Sequence, residues 1–422
     1  MMPTLDLFLL IFALVVILLL TERYHRCVAA MIGAFLVVVF SFERHLVESG
    51  VEVLEAIDME TLGFIVGIMM LCEGLARSGL FEFIGLSIAK ATGGRVTLMM
   101  ASFMLMTVLL TAFVGNITAM IIVGSLTIAI GEQLKLDLKR WLLAEAIIVD
   151  VGGLAFPISS IPSLIIASKT GWGFQEFIRT TLPLVLALTL LTVAAALKAF
   201  KPRKAAGAEV EIDPWSAVED RRVFYRATLI FASVMLLLVF KDRVGLSLEL
   251  IAFGGAVLML ALSGEDPDSI FRNVDWSSVF FLASFYIIVG GMEKAGVMGL
   301  LASATSKALM MAGRLAAVAS MLVCAIASAF IDNIPVTLLL LSMSERIAQT
   351  GAIAIEPLTW SILFGAITGG KLTSFGSPST IVAMGMLKRV GAKVTAGEYM
   401  KTVAPFTLLH LLVSSAYTLL FL

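Results

Sequence analysis

The sequence is poor in charged residues. Only 30 Lys and Arg and 31 Asp and Glu occur among 422 residues, 14% of the chain, whereas a soluble domain carries about 25%. Hydrophobic residues make up 59%, and a membrane-crossing helix needs roughly 20 of them. These figures exclude an ordinary soluble enzyme and a disordered chain, and they predict a polytopic membrane protein. The net charge of −1 offers no basic surface for nucleic acid.

Cysteine and histidine are also scarce. Cys27, Cys72 and Cys324 lie far apart within apolar runs, so they form neither a disulfide framework nor a zinc spacing. We expect them to be small core residues; the alternative is a thiol with a chemical role. Neither an HExxH nor a GxSxG motif occurs, and the three histidines are scattered. The sequence therefore predicts no enzyme, no metal site and no cofactor.

Long apolar runs occupy most of the chain. The first, at about residues 5–20, is followed by the polar residues Thr21 to Arg26 instead of a small-residue cleavage site, so it is predicted to be a crossing helix and not a signal peptide. The other runs lie at about 27–42, 61–78, 96–131, 141–168, 180–199, 223–240, 244–262, 276–293, 314–348, 358–387 and 402–421.

A polar stretch from Lys198 to Arg226 divides these runs into two halves that are related in sequence. Adding 217 to a residue number in the first half gives its counterpart in the second, as from Asp58 to Asp275 or from Gly79 to Gly296. Internal duplication is typical of secondary transporters. We predict an all-α fold of two inverted-topology repeats, residues 1–200 and 223–422, joined by a cytoplasmic linker at 201–222. Each repeat is expected to contain about five crossings, a re-entrant hairpin and a helix unwound at mid-membrane.

The predicted hairpins have polar or helix-breaking residues in the middle of an apolar run that is too long for one crossing. Their tips are Gly115-Asn116-Ile117-Thr118 and Asp332-Asn333-Ile334-Pro335. Glycine and proline favour a break, and a non-helical tip at membrane depth must be buried or line a water-filled cavity. We therefore expect two short helices at each tip, with Asn116, Thr118 and Asn333 available to bind substrate.

The predicted unwound helices follow two Gly-Gly pairs, Gly152-Gly153 and Gly369-Gly370. Each pair precedes a segment rich in Gly, Pro, Ser and Thr, where a crossing helix would be rich in leucine. Broken helices present half-helix N-termini and hydroxyl groups to a substrate near the midplane. The residues predicted to bind substrate here are Ser159, Ser160, Thr373, Ser377 and Thr380. The residues predicted to break the helices are Gly152, Gly153, Gly369, Gly370 and Gly376.

The distribution of the 30 basic residues predicts the orientation. Five crossings and one returning hairpin per half place most Lys and Arg on the face of the central polar stretch, which is then cytoplasmic, with both termini outside. Lys371 falls on neither face because it lies inside the second break. An ionisable residue at membrane depth is a functional hypothesis. We predict that Lys371, Asp150 and Asp332 couple transport to protons or ions, and that Glu145 is solvated at a helix end.

These motifs resemble the ion transporter superfamily, which includes arsenite/antimonite permeases, sodium/proton antiporters and dicarboxylate carriers. The resemblance is carried by Ala112 to Thr118, Ala329 to Thr337 and the two Gly-Gly segments. Many members have breaks similar to GGTATLIGDPPN and GGNGTLIGASAN, from which this chain departs. Lys371 before Thr373, and Asp150 before the first Gly-Gly, are similar to the arsenite permease branch. Gly115 stands where the antiporter-like branch usually has Asp.

The resemblance implies a secondary transporter that exports arsenite or antimonite from the cytoplasm, with protons as the coupling ion and the inner membrane as its location. It also implies that a cytoplasmic ATPase subunit could associate with the chain, which has no phosphate-binding loop of its own. The alternatives are a sodium/proton antiporter and an anion transporter of the same superfamily. A passive channel or an intramembrane enzyme is a less favoured alternative. The sequence does not determine the oligomeric state.

Overall fold

A computed structural model of the chain describes residues 3–21, 23–93, 95–202, 213–264, 266–349, 354–374 and 376–422. Within these ranges the structure consists of helices and connecting turns, with no strand. This confirms the all-α prediction. Part of the predicted linker, residues 203–212, lies outside the described residues.

The helices of the first half follow the predicted apolar runs closely. They are α1 (Thr4–Leu20), α2 (Arg26–Glu43), α3 (Gly50–Leu54), α4 (Met59–Arg77), α5 (Leu80–Ala91), α6 (Val96–Val114), α7 (Asn116–Gln133), α8 (Leu138–Gly152), α9 (Ile161–Thr170), α10 (Phe174–Thr180) and α11 (Leu182–Phe200). The short helices α3, α5 and α10 were not predicted, because only long apolar runs served as a signal.

The helices of the second half follow a 3₁₀ turn at Pro214–Ala217. They are α12 (Arg221–Val239), α13 (Lys241–Val244), α14 (Leu248–Ser263), α15 (Pro267–Asn273), α16 (Trp276–Lys294), α17 (Val297–Ala312), α18 (Ala316–Phe330), α19 (Asn333–Gln349), α20 (Ile355–Gly370), α21 (Pro378–Arg389) and α22 (Ala396–Phe421). A second 3₁₀ turn, Gly313–Leu315, joins α17 to α18.

Among the described residues, 8 helices are long and apolar enough to cross a membrane. They are α2, α4, α6, α7, α11, α12, α16 and α22. Shorter apolar helices are α1, α14 and α18. These helices provide the hydrophobic segments that the composition predicted.

Both predicted hairpin tips interrupt their helices. Helix α6 ends at Val114 and α7 begins at Asn116, so Gly115 alone separates them. Both arms are long enough to cross a membrane, which is longer than the short helices expected. The second tip is Ile331-Asp332, between α18 and α19. Pro335 lies in the first turn of α19 and not in the break, because the first helical turn tolerates a residue without an N–H.

Both predicted unwound segments are also present. The chain leaves the helix between α8 and α9, and again between α20 and α21. Three of the glycines expected to break these helices, Gly152, Gly369 and Gly370, are instead the last helical residues before the breaks. Gly153 and Gly376 lie in the non-helical segments.

The chain divides into two compact units. Unit 1 contains Met1–Leu62, Asp275–Gly370 and Leu411–Leu422, and unit 2 contains Gly63–Val274 and Lys371–His410. Each unit combines segments from both predicted repeats. The repeat boundaries and their inverted relation stay a prediction.

In unit 1, the tightest helix contact joins α18 to α20 through Gly365 and Gly369. A Cβ on Gly369 would lie 2.1 Å from the backbone oxygen of Ala325, and one on Gly365 would lie 2.4 Å from that of Met321. Small residues four apart allow such close backbone packing in membrane helices. The glycines of this break helix are therefore required for helix packing.

Unit 2 contains a similar contact between α6 and α8. A Cβ on Gly152 would lie 2.5 Å from the backbone oxygen of Val108. Adding 217 to Gly152 and Val108 gives Gly369 and Ala325, the pair in contact in unit 1. The same offset thus relates two tight contacts as well as two sequence motifs.

Two helices begin in unit 1 with similar aspartate caps, and the two aspartates are also 217 residues apart. Asp58 accepts hydrogen bonds from the backbone N–H and hydroxyl of Thr61, at 3.0 and 2.6 Å. Asp275 accepts from the backbone N–H of Ser278 at 3.1 Å and from its hydroxyl. Both aspartates satisfy N–H groups that the first turn of a helix leaves free. These paired caps support the predicted duplication.

Candidate functional site

A cluster of buried polar side chains surrounds Asp150, three residues before the first break, in unit 2. Its Oδ1 accepts hydrogen bonds from Ser379 at 2.9 Å, Asn116 at 3.3 Å and Ser377 at 3.5 Å. Its Oδ2 is buried and has no hydrogen-bond partner among the described residues. Asp150 is 1% exposed. A buried carboxylate oxygen with no partner can accept a hydrogen bond from a bound solute.

Two helix N-termini supply the donors around Asp150. Asn116 is the first residue of α7, and Ser377 is the N-cap residue of α21, with Ser379 in its first turn. Each N-terminus carries free N–H groups and a partial positive charge. Both helices begin at a predicted break, the first hairpin tip and the second unwound segment. The breaks therefore bring two positive helix ends to the same carboxylate.

Lys371 is the first residue of the second break and is 1% exposed. Its Nζ is hydrogen-bonded to Nδ1 of His410, on α22. Asp150 interacts with it electrostatically. A lysine buried in this way does not extend to a membrane interface, the alternative that long basic side chains allow. The structure thus brings two of the three predicted coupling residues, Lys371 and Asp150, into one region.

The His410 imidazole continues the chain of hydrogen bonds. Its Nε2 lies 2.6 Å from Oγ1 of Thr192, on α11, and the Thr192 hydroxyl donates to the backbone oxygen of Leu188 at 2.5 Å. Lys371, His410 and Thr192 are all buried. Sequence reasoning missed this partner of Lys371. The signal was available, because His410 is an ionisable residue within an apolar run.

Three other predicted residues hold the breaks in place. The Ser159 hydroxyl accepts from Phe156 N–H at 2.8 Å and donates to the backbone oxygen of Ala112 at 2.9 Å. Ser160 caps α9, accepting from the N–H of Ser163 at 3.3 Å. Thr373 accepts from Gly376 N–H at 3.0 Å. These bonds satisfy backbone and side-chain groups that the unwound segments leave without helical partners.

A cleft beside the first hairpin tip encloses a cavity of about 50 Å³. Its polar lining comes from Asn116, Thr118 and Ser160, which are all predicted substrate-binding residues. Asn116 is also a hydrogen-bond partner of Asp150. The other lining residues are mostly apolar: Phe64, Ile65, Ile68, Met69, Val114, Gly115, Ile117, Ile158, Ile161 and Leu164. A mainly apolar cleft with a few polar groups is the usual form of a small-solute site.

The second hairpin tip belongs to unit 1. Asp332 accepts a hydrogen bond from Arg26 at 3.1 Å and one from Ile334 N–H at 3.0 Å. Arg26 also donates to Ser278 at 2.9 Å, and Asn333 is buried at the start of α19. Asp332 is thus paired with the guanidinium group of Arg26. No local sequence pattern indicates Arg26 as this partner, because it lies 306 residues from Asp332.

Two further buried polar groups complete the comparison with the predictions. Thr380 is buried in the first turn of α21. The expectation that Glu145 is solvated was wrong, because Glu145 is buried within α8 and accepts a hydrogen bond from the Thr127 hydroxyl. Its position near the middle of α8 (Leu138–Gly152) keeps it away from the helix end.

Cys27, Cys72 and Cys324 are free and buried.

Comparison with known proteins extends over most of the chain. An uncharacterized transporter of Mycobacterium tuberculosis is 27% identical over 430 residues, covering 96% of each chain. The mouse P protein is 24% identical over 487 residues, covering 96% of this chain and 58% of that protein. The crystal structure of the YdaH transporter of Alcanivorax borkumensis matches with a TM-score of 0.58 and 15% identity, covering 86% and 85% of the two chains.

The structural match shows that the chain shares the fold of the YdaH transporter. The sequence also matches the citrate transporter family over residues 16–365. These findings confirm the predicted ion transporter superfamily and the prediction of a transporter and not an enzyme. The chain is therefore a multi-pass membrane transporter that belongs to the citrate transporter (CitMHS) family.

Proposed function

We propose that this chain is a secondary active transporter that exports arsenite and antimonite in exchange for protons, with Lys371 and Asp150 as the coupling residues. The observation that carries this proposal is the pair of oppositely charged, buried side chains among hydroxyl and amide groups at the helix breaks. Ionisable residues at membrane depth mark ion and solute pathways.

The charge balance of the cluster favours a neutral polar solute. Lys371 and Asp150 together carry no net charge, whereas a multiply charged anion needs an excess of positive groups. Arsenite at neutral pH is mainly an uncharged trihydroxide, so it needs hydrogen-bond donors and acceptors. Asn116, Ser377 and Ser379 supply such groups, and Asp150 Oδ2 is a buried acceptor without a partner among the described residues.

Export against a concentration gradient requires a coupled source of free energy. The sequence contains no phosphate-binding loop, so we assign the coupling to protons. Lys371 and Asp150 can exchange a proton without leaving a second unpaired charge in the membrane. Association with a cytoplasmic ATPase subunit is a further possibility for this kind of exporter.

The proposed orientation follows the positive-inside rule. The central polar stretch faces the cytoplasm, both termini lie outside, and the chain resides in the inner membrane. The solute would then bind at the breaks in a midplane site and reach either side by alternating access.

An organic or inorganic anion is the second candidate substrate, and two observations favour it. The matched family is described as citrate transporters, and the N-termini of α7 and α21 converge on the cluster, where they would attract an anion. Exchange of sodium for protons is less favoured, because Gly115 replaces the acid of the antiporter-like hairpin and Lys371 opposes a cation.

Solute uptake into everted membrane vesicles with an acidic interior tests the proposal. Wild-type vesicles are expected to accumulate arsenite only while the pH gradient is present. Lys371→Gln and Asp150→Asn should each reduce this uptake by about tenfold or more, because the coupled step depends on them. Lys169→Gln is the matched control, since Lys169 is exposed at the end of α9.

Arsenite uptake that is independent of the gradient and equal in wild type and Lys371→Gln would contradict the proposed mechanism. Gradient-dependent uptake of citrate, without uptake of arsenite, would replace the first substrate with the second. Sodium-dependent dissipation of the pH gradient would favour the antiporter.

A further inference from the structure

We propose that His410 is the proton acceptor of Lys371, so that the coupling proton moves between Lys371 Nζ and His410 Nδ1. This inference rests on the proposed function and extends it to a residue that lies on another helix, α22. The geometry behind it is the continuous hydrogen-bonded chain from Lys371 through His410 to Thr192.

The bond directions in this chain determine the tautomer of the imidazole. Thr192 has one hydroxyl proton, and it donates that proton to the backbone oxygen of Leu188. Its oxygen must therefore accept at His410, so Nε2 of the ring carries a proton. The other ring nitrogen, Nδ1, then has a free lone pair, which faces Lys371 Nζ. His410 is neutral in this state and serves as the acceptor for an ammonium group.

Proton transfer along this bond balances without another reactant. One N–H bond of the Lys371 ammonium breaks and one N–H bond forms at His410 Nδ1, while Nε2 keeps its own proton and continues to donate it to Thr192 Oγ1. The positive charge moves from the lysine to the imidazole, and no second charge is created in the membrane. Lys371 becomes a neutral amine whose lone pair accepts from His410 Nδ1–H and whose two remaining N–H groups can donate to an oxygen of the solute.

Few other ionisable groups face this bond among the described residues. Asp150, on α8, interacts electrostatically with Lys371, and it would stabilise the positive charge on either side of the transfer. Tyr399 is the other buried ionisable residue on α22, beside Thr380. From α11, the group that contacts the imidazole is the Thr192 hydroxyl, which has no charge. The Lys371–His410 bond is thus the route by which Lys371 can lose its proton without transferring it to Asp150.

Substitution of His410 by glutamine distinguishes two roles of the imidazole: accepting a hydrogen bond from Lys371 and accepting its proton. Glutamine offers one acceptor and one donor, so it can accept from Lys371 and donate to Thr192, but it cannot be protonated. We expect His410→Gln to retain arsenite counterflow, which needs no net proton movement, within about twofold of wild type. Uptake driven by a pH gradient should fall by about tenfold or more. His25→Gln is the matched control, since its ring lies at the start of α2.

Two outcomes would overturn the role of His410. Full gradient-driven uptake by His410→Gln would mean that no proton passes to this residue. Loss of counterflow together with driven uptake, in a protein that remains folded and monodisperse, would make His410 a positioning residue only. If wild type carries out neither arsenite counterflow nor driven uptake, the proposed function itself is wrong. This result differs from both outcomes above, in which wild type is active and only the variant decides the role of His410.

Nitrogen-15 NMR of the labelled imidazoles tests the proposal without transport. The chain has only 3 histidines, so a double variant with His25→Gln and His45→Gln leaves His410 as the one labelled ring and assigns its signal. We expect the neutral tautomer with the proton on Nε2, and conversion of the ring to imidazolium as the pH falls. In Thr192→Val, which removes the acceptor of the Nε2 proton, this tautomer preference should be lost, whereas Thr192→Ser should preserve it. A proton on Nδ1 at every pH would overturn the inference even if His410→Gln does not fold.

Discussion

The first and second hairpin-and-break regions share a backbone contact but differ in their polar residues. In the first, Gly152 packs against the backbone of Val108, and in the second, Gly369 packs against Ala325. The two pairs are related by the offset of 217 residues. The close approach of the break helix to its hairpin arm is thus common to both regions.

The hairpin tips show why their chemistry differs. Gly115 has φ 82° and ψ 161°, a conformation that is essentially restricted to glycine. Its counterpart at the offset is Asp332, which is not one of the non-glycine residues with positive φ in the described part of the chain. The first tip therefore excludes an acid at this position by its backbone, while the second tip has Asp332 paired with Arg26.

The two breaks also differ in their ionisable residues. Asp150 precedes the first break and Lys371 begins the second, and neither has an ionisable counterpart in the other region, where Ile367 and Leu154 stand at the offset positions. The two corresponding breaks thus have one acid and one base at positions that are not equivalent at the offset. This asymmetry produces the charged cluster on which the proposed coupling depends.

The prediction with the largest expected effect tests the close contact between a glycine and the opposing backbone that both regions share. Gly369→Val should destabilise the protein by about 3 kcal/mol, the upper end of the usual cost of overpacking, because the obstacle to a side chain is backbone that cannot rotate away. Gly152→Val should also destabilise it, but less, since its Cβ would lie 2.5 Å from the nearest atom instead of 2.1 Å. The thermal unfolding midpoint in detergent measures both effects.

Gly385→Ala provides the control for these substitutions, because a Cβ at this helical position meets nothing within 4 Å. Its stability should be unchanged or slightly higher, as alanine favours helix. Equal stability of Gly369→Val and wild type would mean that the two regions do not depend on the same close contact.

Sequence patterns identified the helix breaks but not all of the contacts made across them. Apolar runs predicted the long helices, and the interruptions near Gly115 and Asp332 were predicted because a helix at membrane depth rarely contains such residues. The predicted glycines lie beside the breaks and not always within them. Their packing role depends on which helix lies opposite, as for Gly369 and Ala325.

The partners of the buried charges depend on tertiary structure. His410 is 39 residues from Lys371, and Arg26 is 306 residues from Asp332. No periodicity within one helix links residues so far apart, whereas an i, i+4 pair such as Glu73 and Arg77 is predictable and is present. The buried position of Glu145 could not be predicted for the same reason.

The second prediction concerns the acid that distinguishes the second tip from the first. Asp332→Asn keeps an oxygen for the Ile334 N–H but removes the charge that faces Arg26. We expect a loss of about 2 kcal/mol, the usual contribution of a hydrogen bond to a charged group. A double-mutant cycle with Arg26→Gln measures the coupling between the two side chains through their unfolding midpoints.

The exposed pair of Lys294 and Glu52, also 3.1 Å apart, is the control for that cycle. Its coupling should be below about 1 kcal/mol, because solvent screens exposed ion pairs. If the coupling between Asp332 and Arg26 is equally small, the ion pair does not stabilise the second tip. The two tips would then differ in backbone conformation but not in stabilisation by an ion pair.

The smallest expected effect concerns hydroxyl groups at equivalent positions in the two regions. Ser328 donates across helices to the backbone oxygen of Ala366 at 2.6 Å, whereas its counterpart Thr111 donates within its own helix to Thr107 at 2.7 Å. Ser328→Ala removes a bond between α18 and α20, so it should cost about 0.6 kcal/mol, the average for such bonds in membranes. Thr111→Val keeps the side-chain shape and removes only a local bond, so the unfolding midpoint should scarcely change. An equal or larger loss in Thr111→Val would mean that bonds between helices do not strengthen the second region relative to the first. The two contacts would then differ only in how closely their glycines approach the opposing backbone.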